Sequence, residues 1–145
     1  MNVRAESVGY KFGEQFRRQR CLVPADGFYE WVTEGRAKRA RRFTLASGGP
    51  FAFAGLWDAW AGDGQTLTTC CLVTTAANDL VRPVHDRMPV IVRPADYAAW
   101  LAHGTPEKEL LALLKPYPAD EMAASVAGAA VNSPRNDGPE CLGAA

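Results

Sequence analysis

Arg20-Cys21-Leu22-Val23-Pro24-Ala25-Asp26-Gly27-Phe28-Tyr29-Glu30-Trp31 places two apolar, strand-forming runs on either side of the breaker Pro24-Ala25-Asp26-Gly27. Asp-Gly between β-prone segments is a strong turn signal. In an extended chain Tyr29 and Trp31 share one face and Glu30 points to the other. An acid on the solvated side of a half-buried strand is the commoner arrangement. The alternative is a carboxylate held rigidly beside a reactive site, and composition alone does not separate the two.

Downstream, Arg42-Phe43-Thr44-Leu45-Ala46 reads as a strand turned by Ser47-Gly48-Gly49-Pro50. Phe51 to Trp60 reads as the next strand, ended by Gly62-Asp63-Gly64, and Thr66 to Thr75 follows, rich in β-branched residues. Short connections between successive strands predict an antiparallel meander. Upstream, residues 1–8 alternate apolar and polar as a strand does, and Phe12 and Phe16 predict a short helix over Lys11 to Arg18. His85-Asp86-Arg87-Met88-Pro89-Val90-Ile91-Val92 sets polar side chains directly against an apolar strand. Two helices are predicted beyond it. One starts near Pro94 and runs through Trp100. The other has Thr105 as N-cap, Pro106 at its first position, and Leu110, Leu111, Leu113 and Leu114 on its apolar side. Residues 130–140 are turn-rich and predict a long ordered loop or an edge.

At 145 residues and 48% hydrophobic, the chain suits one domain with a real core, spanning residues 1–145. Sixteen basic and sixteen acidic side chains cancel, so no global field draws it to nucleic acid or membrane. Two basic groups stand out locally: Arg17, Arg18 and Arg20, and then Arg36, Lys38, Arg39, Arg41 and Arg42. Such groups track phosphates in some proteins, but the second reads as the solvated loop of a hairpin. The four cysteines, Cys21, Cys70, Cys71 and Cys141, show no CxxC spacing, and the first three lie in apolar runs that predict reduced core thiols. No leader and no long apolar run is present, which fits a reducing cytoplasm.

With two histidines, His85 and His103, and no ligand-spaced cysteines, no metal site is expected. His85 and Asp86 do not read as an orienting pair, because neighbouring strand residues point apart. No G-x-S-x-G elbow and no Gly-rich phosphate loop occurs, and no cofactor is expected. A dispersed set remains: Asn2, Arg4, Glu30, Thr74, His85 and Arg87. It combines a carboxylate, an imidazole, an amide and guanidinium groups, a kit for proton transfer beside an anionic substrate.

Six segments carry a resemblance: Asn2-Val3-Arg4-Ala5-Glu6, Cys21 to Trp31, Phe53-Ala54-Gly55-Leu56-Trp57, Val73-Thr74-Thr75-Ala76-Ala77-Asn78, His85-Asp86-Arg87-Met88-Pro89, and Val131-Asn132-Ser133-Pro134-Arg135-Asn136. In that order they resemble the SOS-response-associated peptidase family, whose members are abasic-site processing proteins. The resemblance implies an α+β fold with an antiparallel, barrel-like sheet, a few flanking helices and a positively charged groove for single-stranded DNA. It also implies a monomer acting on abasic sites, with no metal and no membrane. In the family a catalytic cysteine, exposed by removal of the initiator methionine, offers an α-amine to the aldehyde of the ring-opened sugar, and its thiol closes a thiazolidine. By resemblance, Glu30 is the carboxylate beside that amine and His85 the acid/base for ring opening. Asn2 hydrogen-bonds the adduct, Arg4 holds the flanking phosphate, and Thr74 and Arg87 serve phosphate contact and site geometry.

One departure bears on activity. Residue 2 is Asn, and the chain begins at a motif that relatives reach after a substantial N-terminal segment. The expectation is an upstream start or a truncated remnant, with cysteine cross-linking lost, since only an N-terminal cysteine offers a free α-amine beside its thiol and none of the four is N-terminal. The α-amine of Met1, within about 4 Å of chain reach of Asn2, is expected to form a transient imine instead. A non-catalytic single-stranded DNA binding module and a degenerate, poorly folding chain are the competing readings.

Overall fold

The computed structural model describes residues 2–35 and 37–143. The described residues form two β-sheets flanked by short helices. In chain order the strands are β1 (Val3–Arg4), β2 (Arg20–Ala25), β3 (Phe28–Glu34), β4 (Ala37–Leu45), β5 (Phe51–Gly62), β6 (Gln65–Ala76), β7 (Arg87–Pro89), β8 (Ile91–Val92) and β9 (Met122–Val126). The helices are α1 (Val8–Lys11), α2 (Gly13–Arg18), α3 (Tyr97–Leu101) and α4 (Glu107–Leu113). The α+β class holds, but the sheet is not closed into a barrel. One sheet follows the order β1-β6-β5-β2, with β7 on β6 and β8 on β5; the other is β3-β4-β9.

The simple meander does not occur: β5 and β6 pair as neighbours, but β4 lies in the other sheet, and the chain changes sheet both at residues 46–50 and at the Asp26-Gly27 breaker. β2 pairs with β5 and β3 pairs with β4, so the chain leaves one sheet and enters the other at this point. Gly27 is there for room: a Cβ would lie 3.0 Å from the Phe43 carbonyl oxygen. Asp26 is tied to the second sheet by Arg42, 3.3 Å away. The chain's tight hairpin is the other Asp-Gly. Asp63 (φ 51°) and Gly64 (φ 75°) join the paired ends Gly62 and Gln65, a two-residue turn with both φ values positive. Lys38 to Arg42 accordingly lie on strand β4, not in a loop. Arg39 and Arg41 are paired with Glu34 at 3.1 Å and 3.0 Å; Arg36 lies outside the described residues.

β5 holds the core together because its first half is buried on both faces. Phe51 and Phe53 enter a cluster with Phe43, Val81, Met88, Ile91, Tyr117 and Met122, while Ala54 and Leu56 enter another with Val3, Val8, Phe16, Val73, Val90 and Trp100. Alternation along one strand thus feeds two cores. Beyond Leu56 the hairpin runs into solvent: Trp57, Trp60 and Leu67 are exposed, and so is Cys70. Cys21 and Cys71 are half-buried with thiols pushed up by burial, and Cys71 packs against the core; the expectation of a core thiol fails at exposed Cys70.

The helices pack on the second of those clusters. Phe16 on α2 meets Trp100 on α3 with ring centroids 6.1 Å apart. Arg20 is buried between them, donating to the carbonyls of Phe16 and Arg17 at the end of α2 and of Trp100 and Ala102 at the end of α3. A cation that expends its donors this way serves the helix C-termini, which removes Arg20 from any phosphate-tracking group. At α4, Pro106 takes the cap position and the Thr105 hydroxyl instead donates to the Ala99 carbonyl at 2.6 Å. Leu110 and Leu114 are buried and Leu111 is exposed. β9, which has no strand signal in Met122-Ala123-Ala124-Ser125-Val126, is recruited by pairing with β4 and by burial of Met122. The tail beyond it folds back as two 3₁₀ turns, Ala129–Asn132 and Pro139–Leu142.

Candidate functional site

Glu30 points where strand alternation puts it. On one face of β3, the Tyr29 hydroxyl donates to the Cys141 carbonyl at 2.8 Å and the Trp31 indole donates to Asn132 Oδ1 at 2.8 Å, so the C-terminal turns cover this face. On the other face Phe28 stacks on Phe43 at 5.1 Å and Glu30 reaches a half-open cavity of about 330 Å³. Asn2, Thr74, His85 and Arg87 also line it. Five of the six candidate residues therefore meet in one place, brought there from the N-terminal stretch, β3, β6 and the loop leading into β7. Arg4 sits at the margin: it pairs in register with Thr74 on the neighbouring strand and is exposed.

The β1–β6 pairing that delivers Asn2 is parallel, Val3 opposite Val73 and Arg4 opposite Thr74. Buried Val3 anchors it, and alternation turns Asn2 and Arg4 the other way. The Thr74 hydroxyl donates to the Val3 carbonyl at 3.2 Å. Arg87 forms a two-pronged pair with Glu6 at 2.6 Å and 2.9 Å and donates to the Thr74 carbonyl at 2.6 Å.

His85 is placed by the loop ahead of it. Asn78, buried, accepts from the Leu80 and Val81 amides through Oδ1 and donates to the Tyr117 carbonyl at 2.7 Å. That turn returns the chain so that the His85 amide donates to the Val81 carbonyl at 3.0 Å. The Arg87 amide donates to His85 Nδ1 at 3.0 Å, leaving Nε2 as the ring atom free to exchange a proton. Asp86 Oδ1 lies 3.5 Å from Nδ1, so these neighbours do approach each other, although an Nδ1 that accepts from the Arg87 amide donates nothing to Asp86. Residues 85 and 86 precede the strand, which begins at Arg87, so the opposed geometry of strand neighbours does not apply.

Burial pushes the Glu30 carboxyl above its ordinary value; the nearby His85 works against this and Asp86 adds to it. A carboxyl so tuned, within reach of an imidazole, is a group suited to proton transfer. Among the described residues no cluster of three His, Cys, Asp or Glu side chains could hold a metal, and no helix is long and apolar enough to cross a membrane.

The model of the SOS response associated peptidase (SRAP) family matches residues 1–134. The chain belongs to this family. This SRAP chain is 41% identical to the abasic site processing protein YoqW of Bacillus subtilis (strain 168), over 98% of its own length and 66% of that relative's. It is 33% identical to the abasic site processing protein HMCES of Gallus gallus, over 90% of its length and 45% of that protein's. A protein from Bacteroides thetaiotaomicron, known from an X-ray crystal structure, superposes with a TM-score of 0.91 at 30% identity, over 99% of this chain and 65% of that one. The SRAP chain thus spans just under two thirds of the length of the first two of these neighbours to share its whole extent, YoqW and the Bacteroides protein.

Sequence reasoning passed over Asn78, Asp86 and Glu6 as functional groups. Asn78 carried a signal, an Asx side chain opening a turn. Asp86 was set aside on an assumed strand. Glu6 gave none, because its partner lies 81 positions away.

Proposed function

We propose that this chain recognises abasic sites in single-stranded DNA and supplies acid/base chemistry to the damaged sugar. The reading is carried by the convergence of Asn2, Glu30, Thr74, His85 and Arg87 on one cavity in a chain whose relatives are abasic site processing proteins. Glu30 is the proton acceptor beside the attacking amine, His85 protonates the sugar oxygen as the ring opens, and Asn2 hydrogen-bonds the adduct. Arg4 and Thr74 face the flanking phosphate. Arg87 shapes the site, with one Nη1 hydrogen left to reach a phosphate.

Residue 2 is Asn and carries no thiol. Met1, on which the sequence reading placed an imine-forming amine, lies outside the described residues. An amine of the protein held beside Glu30 would attack the aldehyde carbon of the opened sugar and lose water to form an imine. Borohydride reduces such an imine to a stable secondary amine, so an abasic oligonucleotide is expected to yield a trapped protein–DNA adduct. That adduct should form roughly a hundredfold more slowly in Glu30→Gln and His85→Gln. Equal, salt-sensitive binding of abasic and intact strands with no adduct would instead make the chain a DNA-binding module.

A further inference from the structure

We infer that Glu6 is a positioning residue of this site: its carboxylate locks Arg87 and thereby pins the strand that delivers Asn2 and Arg4. The inference rests on the function proposed above and extends it to a residue outside the cavity.

β1 is two residues long, and pairing at Val3 and Arg4 alone is little to hold such a strand in register. The Glu6–Arg87 pair supplies a second attachment immediately after it. Arg87 Nη1 and Nη2 grip the two carboxylate oxygens at 2.6 Å and 2.9 Å, and Nη2 also donates to the Thr74 carbonyl on β6. Thr74 in turn bonds the Val3 carbonyl. The side chain of Arg87 is only 17% exposed, and its Nε is buried with no hydrogen-bond partner among the described residues, so the guanidinium is held in this place by its Nη contacts. A planar two-pronged pair fixes direction as well as distance, which a single-point ammonium contact does not.

The pair also sets the local charge. Glu6 cancels Arg87 and lies near Arg4, which helps keep the Glu6 carboxyl below its usual range after the larger effect of the Arg87 hydrogen bond. Generic attraction for phosphate is lowered while the geometry around the sugar is kept. Removing the negative charge should therefore move two properties in opposite directions. Affinity for intact single strands rises, and preference for abasic strands falls. A residue that only stabilised the fold would not split them.

The test uses Glu6→Gln in the full chain. Amide exchange is expected to accelerate at least tenfold at residues 2–8, with β4 and β9 unchanged. Binding to intact oligonucleotides should tighten, with a salt slope steeper by about 0.7, the increment for one extra phosphate on a single strand. The ratio of abasic to intact affinity should fall fivefold or more. Unchanged exchange at residues 2–8 overturns the inference. So does faster local exchange with an unchanged affinity ratio, or loss of affinity for both strands alike. Should Glu6→Gln exchange faster throughout, Glu6→Asp, which keeps the charge but withdraws it by one methylene, is judged on the same local exchange and affinity ratio. If the wild-type chain shows no preference for abasic DNA, the proposed function fails and the local exchange alone decides the clamp.

Discussion

At Glu30 the physics is a contest between burial and neighbours. Burial favours the neutral acid, His85 opposes it, and Asp86 sides with burial. The folded protein therefore holds a proton that the unfolded chain has released, beginning at the ordinary value of 4.5 and extending up to the raised folded value. In that window the folded state binds more protons, so stability falls as pH rises through it. Glu30→Gln should remove this decline. Urea midpoints of wild type and variant are expected to diverge in the variant's favour as pH is raised from 4.5, and then to run parallel. The proposed chemistry pulls the other way, because it uses the ionised carboxylate as proton acceptor; under that proposal the acid limb of adduct formation should sit above the usual carboxylate range. Glu30 stood out in the sequence as a lone acid between two aromatics on a strand, but the pattern alone did not separate a site carboxylate from a solvated one. Glu6 did not stand out, since nothing in Asn2-Val3-Arg4-Ala5-Glu6 says which distant side chain it will meet.

Among the elements, the helix layer depends on one buried cation. Arg20 satisfies carbonyls at the ends of both α2 and α3, and its guanidinium lies 5.9 Å from the Trp100 ring centroid. Arg20→Met keeps much of the bulk but strands those acceptors, so a loss of about 2–4 kcal/mol is expected from chemical denaturation. Strand existence was readable from β-branched and aromatic runs; partnership was not. Asp26-Gly27 and Asp63-Gly64 look alike in sequence, yet one makes a hairpin turn and the other carries the chain between sheets. The difference lies in what surrounds Gly27, where the Phe43 carbonyl and the Arg42 side chain close in. β9 was invisible for a related reason: pairing with β4, and not its own composition, makes it a strand.

On the scale of the whole molecule, charge balance leaves the proposed attraction for DNA to local groups. With sixteen basic and sixteen acidic residues, and with Arg18, Arg39, Arg41, Arg42, Arg82, Arg87 and Arg93 each facing a carboxylate, Arg4, at the cavity margin and in no ion pair among the described residues, is the leading candidate for a phosphate contact. The plot of log affinity against log salt for single strands is expected to be shallow. Arg4→Ala should flatten it further by about 0.7, with equal weakening for abasic and intact strands.

The hairpin that leaves the core after Leu56 also decides how the protein fluoresces. Trp60 is 57% exposed, Trp31 40% and Trp57 37%, whereas Trp100 is fully enclosed. Three of four indoles therefore emit into water in the native state, at long wavelength and open to acrylamide. Denaturation should shift the spectrum little, and the quencher-resistant residue of the signal belongs to Trp100. Trp100→Phe is expected to abolish that resistant, blue component and leave the red one intact, so a dye-free optical signal would follow the helix layer separately from the projecting strands.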